Sequence, residues 1–256
     1  MPKTLKTASG LEMYYEVTGA GSPIVVIPGG LMTIEQMGGL IPALAKTRQV
    51  IAVEPQAHGH TADIDRPMTY EHMADDVAAL IAEVGLERAD MCGFSVGAGT
   101  ALQTAIRHPA LVRKLVFLSG VFKGAGEYKE IRAIASTFAP DSPMLGMNRQ
   151  AYFQAAGLPD GWPALVEKMR LLLRESYDWS APVAALSVPV LIVAGDSDTF
   201  PVAHALEMFT LLGGDTGASA MGGAGRAQLA VLPGTNHFRF MQRLDLLVPI
   251  VSAFLE

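Results

Sequence analysis

Residues 91–99 read Met-Cys-Gly-Phe-Ser-Val-Gly-Ala-Gly, which predicts a strand end, a tight turn and a helix start. Gly93, Ser95 and Gly97 form a G-x-S-x-G motif, in which a strained turn pushes the serine hydroxyl out of the sheet. Glycine is needed on both sides because backbone packs so tightly there that a Cβ would clash. Residues 96–107 then have helical apolar spacing. We therefore predict a nucleophilic Ser95; the alternative is that Ser95 only caps the following helix.

The composition favours a globular protein without nucleic-acid partners. Half of the 256 residues are apolar (50%), which is enough for a sizeable core. The net charge is −6 and there is no basic run, so nucleic acid and anionic membranes are poor partners. The single cysteine, Cys92, excludes an internal disulfide, and we interpret it as a small buried apolar residue. Residues 1–4 lack the apolar core of a signal peptide and no apolar run reaches a membrane span, so we expect a cytoplasmic protein.

Apolar runs of strand length alternate with helix-periodic segments along most of the chain. The predicted strands cover residues 11–17, 23–27, 49–53, 89–92, 115–118, 188–194 and 228–232. Helices are predicted at about 34–45, 70–84, 96–107 and 201–212, with a last helix ending near residue 254. This alternation is typical of a mostly parallel sheet with helices on both faces, and we predict one such α/β domain over residues 1–256.

The alternation is interrupted twice. Residues 121–184 show no strong strand pattern but have helical spacing around 128–138 and 163–174. We predict that residues 121–184 form a mostly helical cap, inserted between two strands and covering Ser95. Residues 213–225 are rich in glycine and predict a flexible surface loop.

Residue types suited to nucleophilic catalysis follow the ends of separate strands. In chain order these are Gly30, Ser95, Asp196 or Asp198, and His237. In an open parallel sheet, ligands bind beyond the carboxyl ends of the strands, so these residues should lie close together. A serine hydroxyl needs a base within hydrogen-bond reach and an acid that orients the base. No metal cluster or dinucleotide fingerprint accompanies them, and we expect no cofactor or metal.

Five stretches of the chain resemble the motifs of a known family. They are the turn 28–30, the loop 54–61, the motif 93–97 and the segments 195–198 and 232–238. On them the chain resembles the α/β-hydrolase fold superfamily, in the form with a small cap. The resemblance implies a mostly parallel, twisted sheet of roughly eight strands, with helices on both faces and an inserted helical cap. Two positions depart from the pattern: Pro28 stands where many members have His, and loop 54–61 has Glu-Pro-Gln in place of Asp-x-Arg.

The chemistry of this arrangement assigns the roles. Ser95 would attack, while His237 would take its proton and later protonate the leaving group. The backbone N–H groups of Gly30 and Val96 are placed to receive the negative oxygen of the tetrahedral intermediate.

Two carboxylates compete for the role of the acid. Asp196 is suited to bonding nearby backbone N–H groups in a turn, whereas Asp198 lies further out and can reach sideways toward His237. Superfamily members with a similar Gly-Asp-x-Asp segment use the second aspartate, so the resemblance implies Asp198. The preceding strand ends in Ser119 and Gly120, which provide no carboxylate.

The remaining histidines have structural interpretations. His58 and His60 lie in a loop that is mostly structural in similar proteins, and the alternative is that they line the pocket. His237 is the histidine that directly follows a late strand.

We expect a serine hydrolase that cleaves a small to medium, largely apolar carboxylic ester through an acyl-enzyme. The same triad could cleave a carbon–carbon bond, an amide or a lactone. Ser95 argues against haloalkane dehalogenase and epoxide hydrolase chemistry, since similar enzymes of those types use aspartate at this position. A receptor for a small ligand, with little turnover, is the alternative from a different class.

Overall fold

An eight-stranded sheet forms the centre of the protein, whose computed structural model describes residues 2–156, 160–214, 216–217 and 225–256. The strands are β1 (Pro2–Lys6), β2 (Glu12–Thr18), β3 (Ser22–Ile27), β4 (Arg48–Val53), β5 (Ala89–Phe94), β6 (Val112–Leu118), β7 (Val190–Ser197) and β8 (Ala227–Asn236). Their order across the sheet is β1-β2-β4-β3-β5-β6-β7-β8. β2 pairs antiparallel with both β1 and β4. The remaining pairs, which join β4, β3, β5, β6, β7 and β8 in that order, are all parallel.

Both faces of the sheet are covered, which explains why its central strands are continuous apolar runs. In β3, Val25 and Ile27 belong to one buried cluster, while Ile24 and Val26 belong to a second one. Successive side chains of a strand point to opposite faces, so the two clusters are the cores on the two sides of the sheet.

Helices supply the covering layers. They are α1 (Leu40–Leu44), α2 (Tyr70–Glu83), α3 (Val96–Arg107), α4 (Lys129–Ala135), α5 (Gly146–Ala156), α6 (Gly161–Arg174), α7 (Ser180–Ala184), α8 (Val202–Leu211) and α9 (Leu244–Leu255). Helix α2 packs beside α3, and α1 packs beside α9. None of the described helices is long and apolar enough to cross a membrane.

The predicted α/β class with a mostly parallel sheet is confirmed, with differences at its margins. Strand β1 was not predicted, because it is an edge strand in which only Leu5 is buried and no apolar alternation marks it. The predicted helix over 34–45 is a 3₁₀ turn, Ile34–Met37, followed by the short α1. Gly38 interrupts it with φ of +56° and ψ of −137°, a backbone conformation that glycine adopts far more readily than other residues.

The segment predicted as a cap contains α4 to α7 and lies between β6 and β7 in the chain. Within its described part, residues 121–156 and 160–184, there is no strand, only an isolated bridge between Lys123 and Asp178. Most of the predicted glycine-rich loop, 213–225, lies outside the described residues.

Candidate active site

Ser95 sits in a sharp turn between β5 and α3, with φ of +55° and ψ of −118°. A left-handed conformation is strained for a residue with a side chain. The flanking glycines make the turn possible, since a Cβ on Gly93 would lie 2.0 Å from the Gly97 oxygen and one on Gly97 would lie 2.3 Å from the Ile27 oxygen. The Ser95 side chain makes no capping hydrogen bond to α3. The strained turn therefore presents the hydroxyl away from the helix rather than using it as a cap.

A hydrogen-bonded chain joins the predicted serine, histidine and aspartate. His237 Nε2 lies 3.0 Å from Ser95 Oγ, and His237 Nδ1 lies 2.9 Å from Asp198 Oδ1. The ring of Phe94 stacks on the imidazole at 5.0 Å between centroids, which restricts its rotation. One imidazole nitrogen thus faces the hydroxyl while the other faces the carboxylate, the geometry that a general base requires.

The carboxyl group of Asp198 is held by several donors besides the histidine. Its Oδ2 accepts from the Gly195 amide at 3.1 Å and from the Ser119 hydroxyl at 2.6 Å, and its Oδ1 accepts from the Thr199 amide at 2.8 Å. Burial alone would raise the pKa of Asp198, but the bonds from His237, Ser119 and Gly195 hold that pKa below its usual value. The group is therefore an anion with a fixed orientation at neutral pH.

Ser119 is a part of this site that the sequence analysis passed over. Its hydroxyl, besides donating to Asp198, lies 2.8 Å from His237 Nδ1, and its φ is +50°. A hydroxyl has one proton to donate, so the proton of Nδ1 is shared between Asp198 and the Ser119 oxygen. In the sequence, the end of β6 was considered only as a source of the catalytic acid, and it carries no carboxylate. The signal that could have identified Ser119 is a hydroxyl side chain at the end of a strand.

Asp196, the competing carboxylate, points elsewhere. Its side chain is exposed and accepts hydrogen bonds from the amides of Gly234 at 2.8 Å and Thr235 at 3.0 Å. These bonds lower the pKa of Asp196 and tie the end of β7 to the segment that precedes His237. The geometry thus separates a carboxylate that contacts the imidazole from one that contacts backbone.

The two predicted oxyanion donors are neighbours. Helix α3 begins at Val96, so the Val96 amide is one of the first-turn N–H groups that have no acceptor within the helix. A Cβ on Gly30 would lie 3.0 Å from Cγ2 of Val96 and 2.8 Å from the sulfur of Met169, which places Gly30 beside Val96 and under α6. A side chain at this position would press on Met169 and Val96, and glycine avoids that contact.

His58 supports the loop that carries Gly30. The amide of Leu31, whose φ is +63°, donates to His58 Nε2 at 3.1 Å, and the other ring nitrogen lies 2.9 Å from the Gln56 carbonyl oxygen. Since Nε2 accepts, the proton lies on Nδ1, and burial lowers the pKa of His58 to about 4. His58 is thus a neutral structural residue, and the resemblance-based interpretation of this loop fits its contacts.

Glu54 and His60, in the same loop as His58, add further hydrogen bonds to this part of the structure. The buried Glu54 carboxylate accepts from the amides of Ile34 at 3.2 Å and His60 at 2.6 Å. Burial raises the pKa of Glu54. Neither His58 nor His60 borders the cavity beside Ser95.

The buried, neutral His58 should make the stability of the protein fall in mild acid. Its folded pKa of about 4 lies below the unfolded value of 6.5, so the unfolded chain binds a proton that the folded chain does not. The contribution of the neutral His58 to the free energy of unfolding is therefore complete above pH 6.5 and is lost as the pH falls toward 4. For one group with this shift the loss is about 3 kcal/mol. His58→Gln retains an acceptor for Leu31 and should reduce this loss, measured by urea unfolding at pH 7 and pH 5.

The control for this prediction is His72→Gln, which changes a histidine whose hydrogen bond to the Pro67 carbonyl is exposed. An equal pH dependence in His58→Gln and wild type would contradict the assignment. His204, whose pKa burial also lowers to about 4, contributes in the same direction, so the variant should keep part of the effect.

A small cavity of about 40 Å³ lies beside Ser95 and His237. Five of its lining residues come from the segment predicted as a cap: Val121, Gly124, Glu127, Leu173 and Tyr177. Glu127 is a second residue of this site that could not be assigned from the sequence. The pattern that could have pointed to it is a carboxylate shortly after the end of β6. The described residues contain no group of three or more His, Cys, Asp or Glu side chains placed to hold a metal ion.

Comparison with known proteins identifies the family. A family model described as alpha/beta hydrolase fold matches residues 22–177, more than half of the chain. The chain therefore belongs to the α/β-hydrolase fold family, as the resemblance in sequence implied, and it is an enzyme of the hydrolase class.

The relatives differ in the reactions that their names state. A non-heme haloperoxidase of Rhodococcus erythropolis is 26% identical over 282 residues, covering 98% of each chain. A 2-hydroxymuconate semialdehyde hydrolase of Pseudomonas sp. is 33% identical over 118 residues, covering 43% of this chain and 41% of the relative. The crystal structure of a hydrolase from Pseudomonas aeruginosa superposes with a TM-score of 0.77 at 18% identity, covering 99% of this chain and 98% of that one.

Proposed function

We propose that the protein is a serine hydrolase that cleaves a small carboxylic ester, with Ser95 as nucleophile, His237 as base and Asp198 as the orienting acid. The observation that carries the proposal is the continuous chain of hydrogen bonds, 3.0 Å from Ser95 Oγ to His237 Nε2 and 2.9 Å from His237 Nδ1 to Asp198 Oδ1. The fixed anion at Asp198 stabilises the imidazolium that forms when the serine proton is transferred.

The reaction follows from these positions. Ser95 Oγ attacks the ester carbonyl carbon while His237 takes the hydroxyl proton, and the carbonyl oxygen becomes an oxyanion. The amides of Gly30 and Val96 donate to that oxyanion. Collapse of the intermediate expels the alcohol, which takes the proton from His237 and leaves an acyl-enzyme at Ser95. Water, deprotonated by His237, then hydrolyses the acyl-enzyme by the same steps.

The size of the cavity favours a small substrate group. Its lining is partly polar, whereas the sequence predicted a largely apolar substrate. About 40 Å³ is room for a short chain, not for a long acyl tail. Val121 and Leu173 supply apolar walls, whereas Glu127 and Tyr177 supply polar ones. Because these four residues come from 121–184, we propose that this segment is the cap that sets substrate preference.

A second candidate is hydrolysis of a carbon–carbon bond by the same triad. Its support is the 33% identity, over 118 residues, to an enzyme named as a 2-hydroxymuconate semialdehyde hydrolase. The ester remains the first candidate because its alkoxide leaving group needs only a proton from His237, whereas cleavage of a carbon–carbon bond also needs a substrate that stabilises the departing carbanion.

Steady-state turnover of a graded ester series tests the proposal. We expect hydrolysis of ethyl esters from acetate to octanoate, with kcat/KM highest for the short acyl chains because the cavity is small. 2-Hydroxymuconate semialdehyde, assayed in parallel, tests the second candidate. Binding of esters without turnover would instead indicate a receptor and would contradict the proposed function.

A further inference from the structure

Glu127 occupies a fixed position on the wall of the cavity that contains Ser95 and His237. It follows the 3₁₀ turn Gly124–Gly126, whose first amide donates to the Tyr177 carbonyl at 2.9 Å. On its other side, the Tyr128 amide donates to the Thr199 carbonyl at 3.0 Å. Backbone hydrogen bonds on both sides thus hold the main chain of Glu127 beside the cavity that its residue borders.

The turn is also packed against a buried histidine. A Cβ on Gly126 would lie 2.2 Å from the ring of His204, and His204 Nε2 accepts from the Phe122 amide at 3.3 Å. The His204 ring stacks on Phe122 with 4.4 Å between centroids. The chain on the approach to Glu127 therefore has little freedom to swing away from the site.

The basic side chains near the Glu127 carboxylate have hydrogen-bond partners of their own. His237 pairs with Asp198, and the guanidinium of Arg132 donates to the Glu175 carbonyl oxygen at 3.3 Å. Glu127 forms no ion pair with any described residue. Burial raises the pKa of Glu127, and the nearby Asp198 adds to this, while His237, Arg132 and a hydrogen bond with Thr199 oppose it. The carboxylate is thus half-buried and lacks a full counter-charge.

Two tyrosines lie on the same wall. The rings of Tyr70 and Tyr177 meet edge to face at 5.4 Å between centroids, and both residues border the cavity. Burial raises the pKa of the Tyr177 phenol to about 12, and the negative charge of Glu127 adds to this. A carboxylate beside aromatic rings is a favourable environment for an organic cation.

An apolar substrate group would be a poor occupant of this wall. It would displace water from the Glu127 carboxylate without replacing the lost hydrogen bonds, which costs free energy. An ammonium group would instead supply both the donors and the missing charge.

We propose that Glu127 is a specificity residue that binds a positively charged group, an ammonium a few bonds from the scissile carbonyl, so that the substrate is a short cationic ester. This inference rests on the proposed function, since it names the substrate class of the same site. The cation enters the recess between Glu127 and Tyr177 while the carbonyl carbon lies at Ser95.

Isosteric ester pairs test the charge directly. Ethyl 3-aminopropanoate and ethyl butanoate differ only in an ammonium against a methyl group at the end of the acyl chain. Butanoate esters of 3-aminopropanol and of butanol make the same comparison on the alcohol side, because they too differ only in an ammonium against a methyl group. We expect the wild-type enzyme to show a higher kcat/KM for the cationic member of at least one pair. Glu127→Gln should reduce that preference by about ten- to a hundredfold, as expected for loss of a charge-assisted bond.

Glu175→Gln is the matched control, because Glu175 is an exposed carboxylate of the same segment that does not border the cavity. It removes the same charge and should leave the preference unchanged. Turnover of neutral esters with no cation preference in wild type, or an equal change in both variants, would overturn this inference alone. Absence of turnover for every ester would overturn the proposed function and this inference with it.

Discussion

Replacement of Ser95 by alanine should reduce ester turnover by about 10⁴- to 10⁶-fold, because the proposed nucleophilic oxygen is lost while the rest of the site remains. A fluorophosphonate should label the wild-type protein at Ser95, and the variant should not be labelled. Turnover is measured as kcat on the best short ester, and the labelled residue is identified by peptide mass spectrometry. The fold should persist, since the Ser95 side chain makes no capping bond to α3.

Ser119 is the serine that must be excluded in this experiment. It borders the same cavity and lies 2.8 Å from His237 Nδ1. It faces the nitrogen on the far side of the imidazole from Ser95, so Ser119→Ala should still be labelled at Ser95. Labelling at Ser119, or full activity of Ser95→Ala, would show that the nucleophile is assigned wrongly.

Replacement of Asp198 by asparagine should lower kcat by about 10⁴-fold while the fold is retained. The carboxylate accepts from His237, Ser119 and two backbone amides, and an asparagine would turn an N–H₂ group toward one of these donors. The imidazole would then lose both its orienting acceptor and the anion that stabilises its protonated form. The measurement is kcat at constant pH, with circular dichroism to verify the fold.

Asp196→Asn is the matched control, since it makes the same chemical change two residues away. Asp196 accepts from the amides of Gly234 and Thr235, so its loss should mainly lower the melting temperature. If Asp196→Asn lost activity and Asp198→Asn lost only stability, the choice between the two carboxylates would be wrong.

The position of the aspartate shows how far local sequence reasoning extends. Asp196 and Asp198 follow the same strand, and spacing alone left both open. The resemblance to related enzymes favoured Asp198, and the contacts with His237 agree with that choice. The separation depends on how the end of β7 turns toward β8, a contact between segments far apart in the chain.

The sequence by itself determined the α/β class, the strand–turn–helix at 91–99 and the placement of His237 after the last strand. These features depend on neighbours in the chain: the alternation of buried strand runs, helical spacing and the lack of room for a Cβ beside Ser95. Such constraints are local, so a pattern of residues is sufficient to express them.

Only the tertiary structure decided that Ser119 holds Asp198 and that Glu127 borders the cavity. Ser119 and Asp198 are 79 residues apart, and Ser95 and His237 are 142 residues apart. Serine at a strand end and glutamate after a glycine turn are ordinary in loops, so neither has a sequence signature of function. Their roles arise because parallel strands bring their carboxyl ends to one edge of the sheet, where loops from β6, β7 and β8 meet.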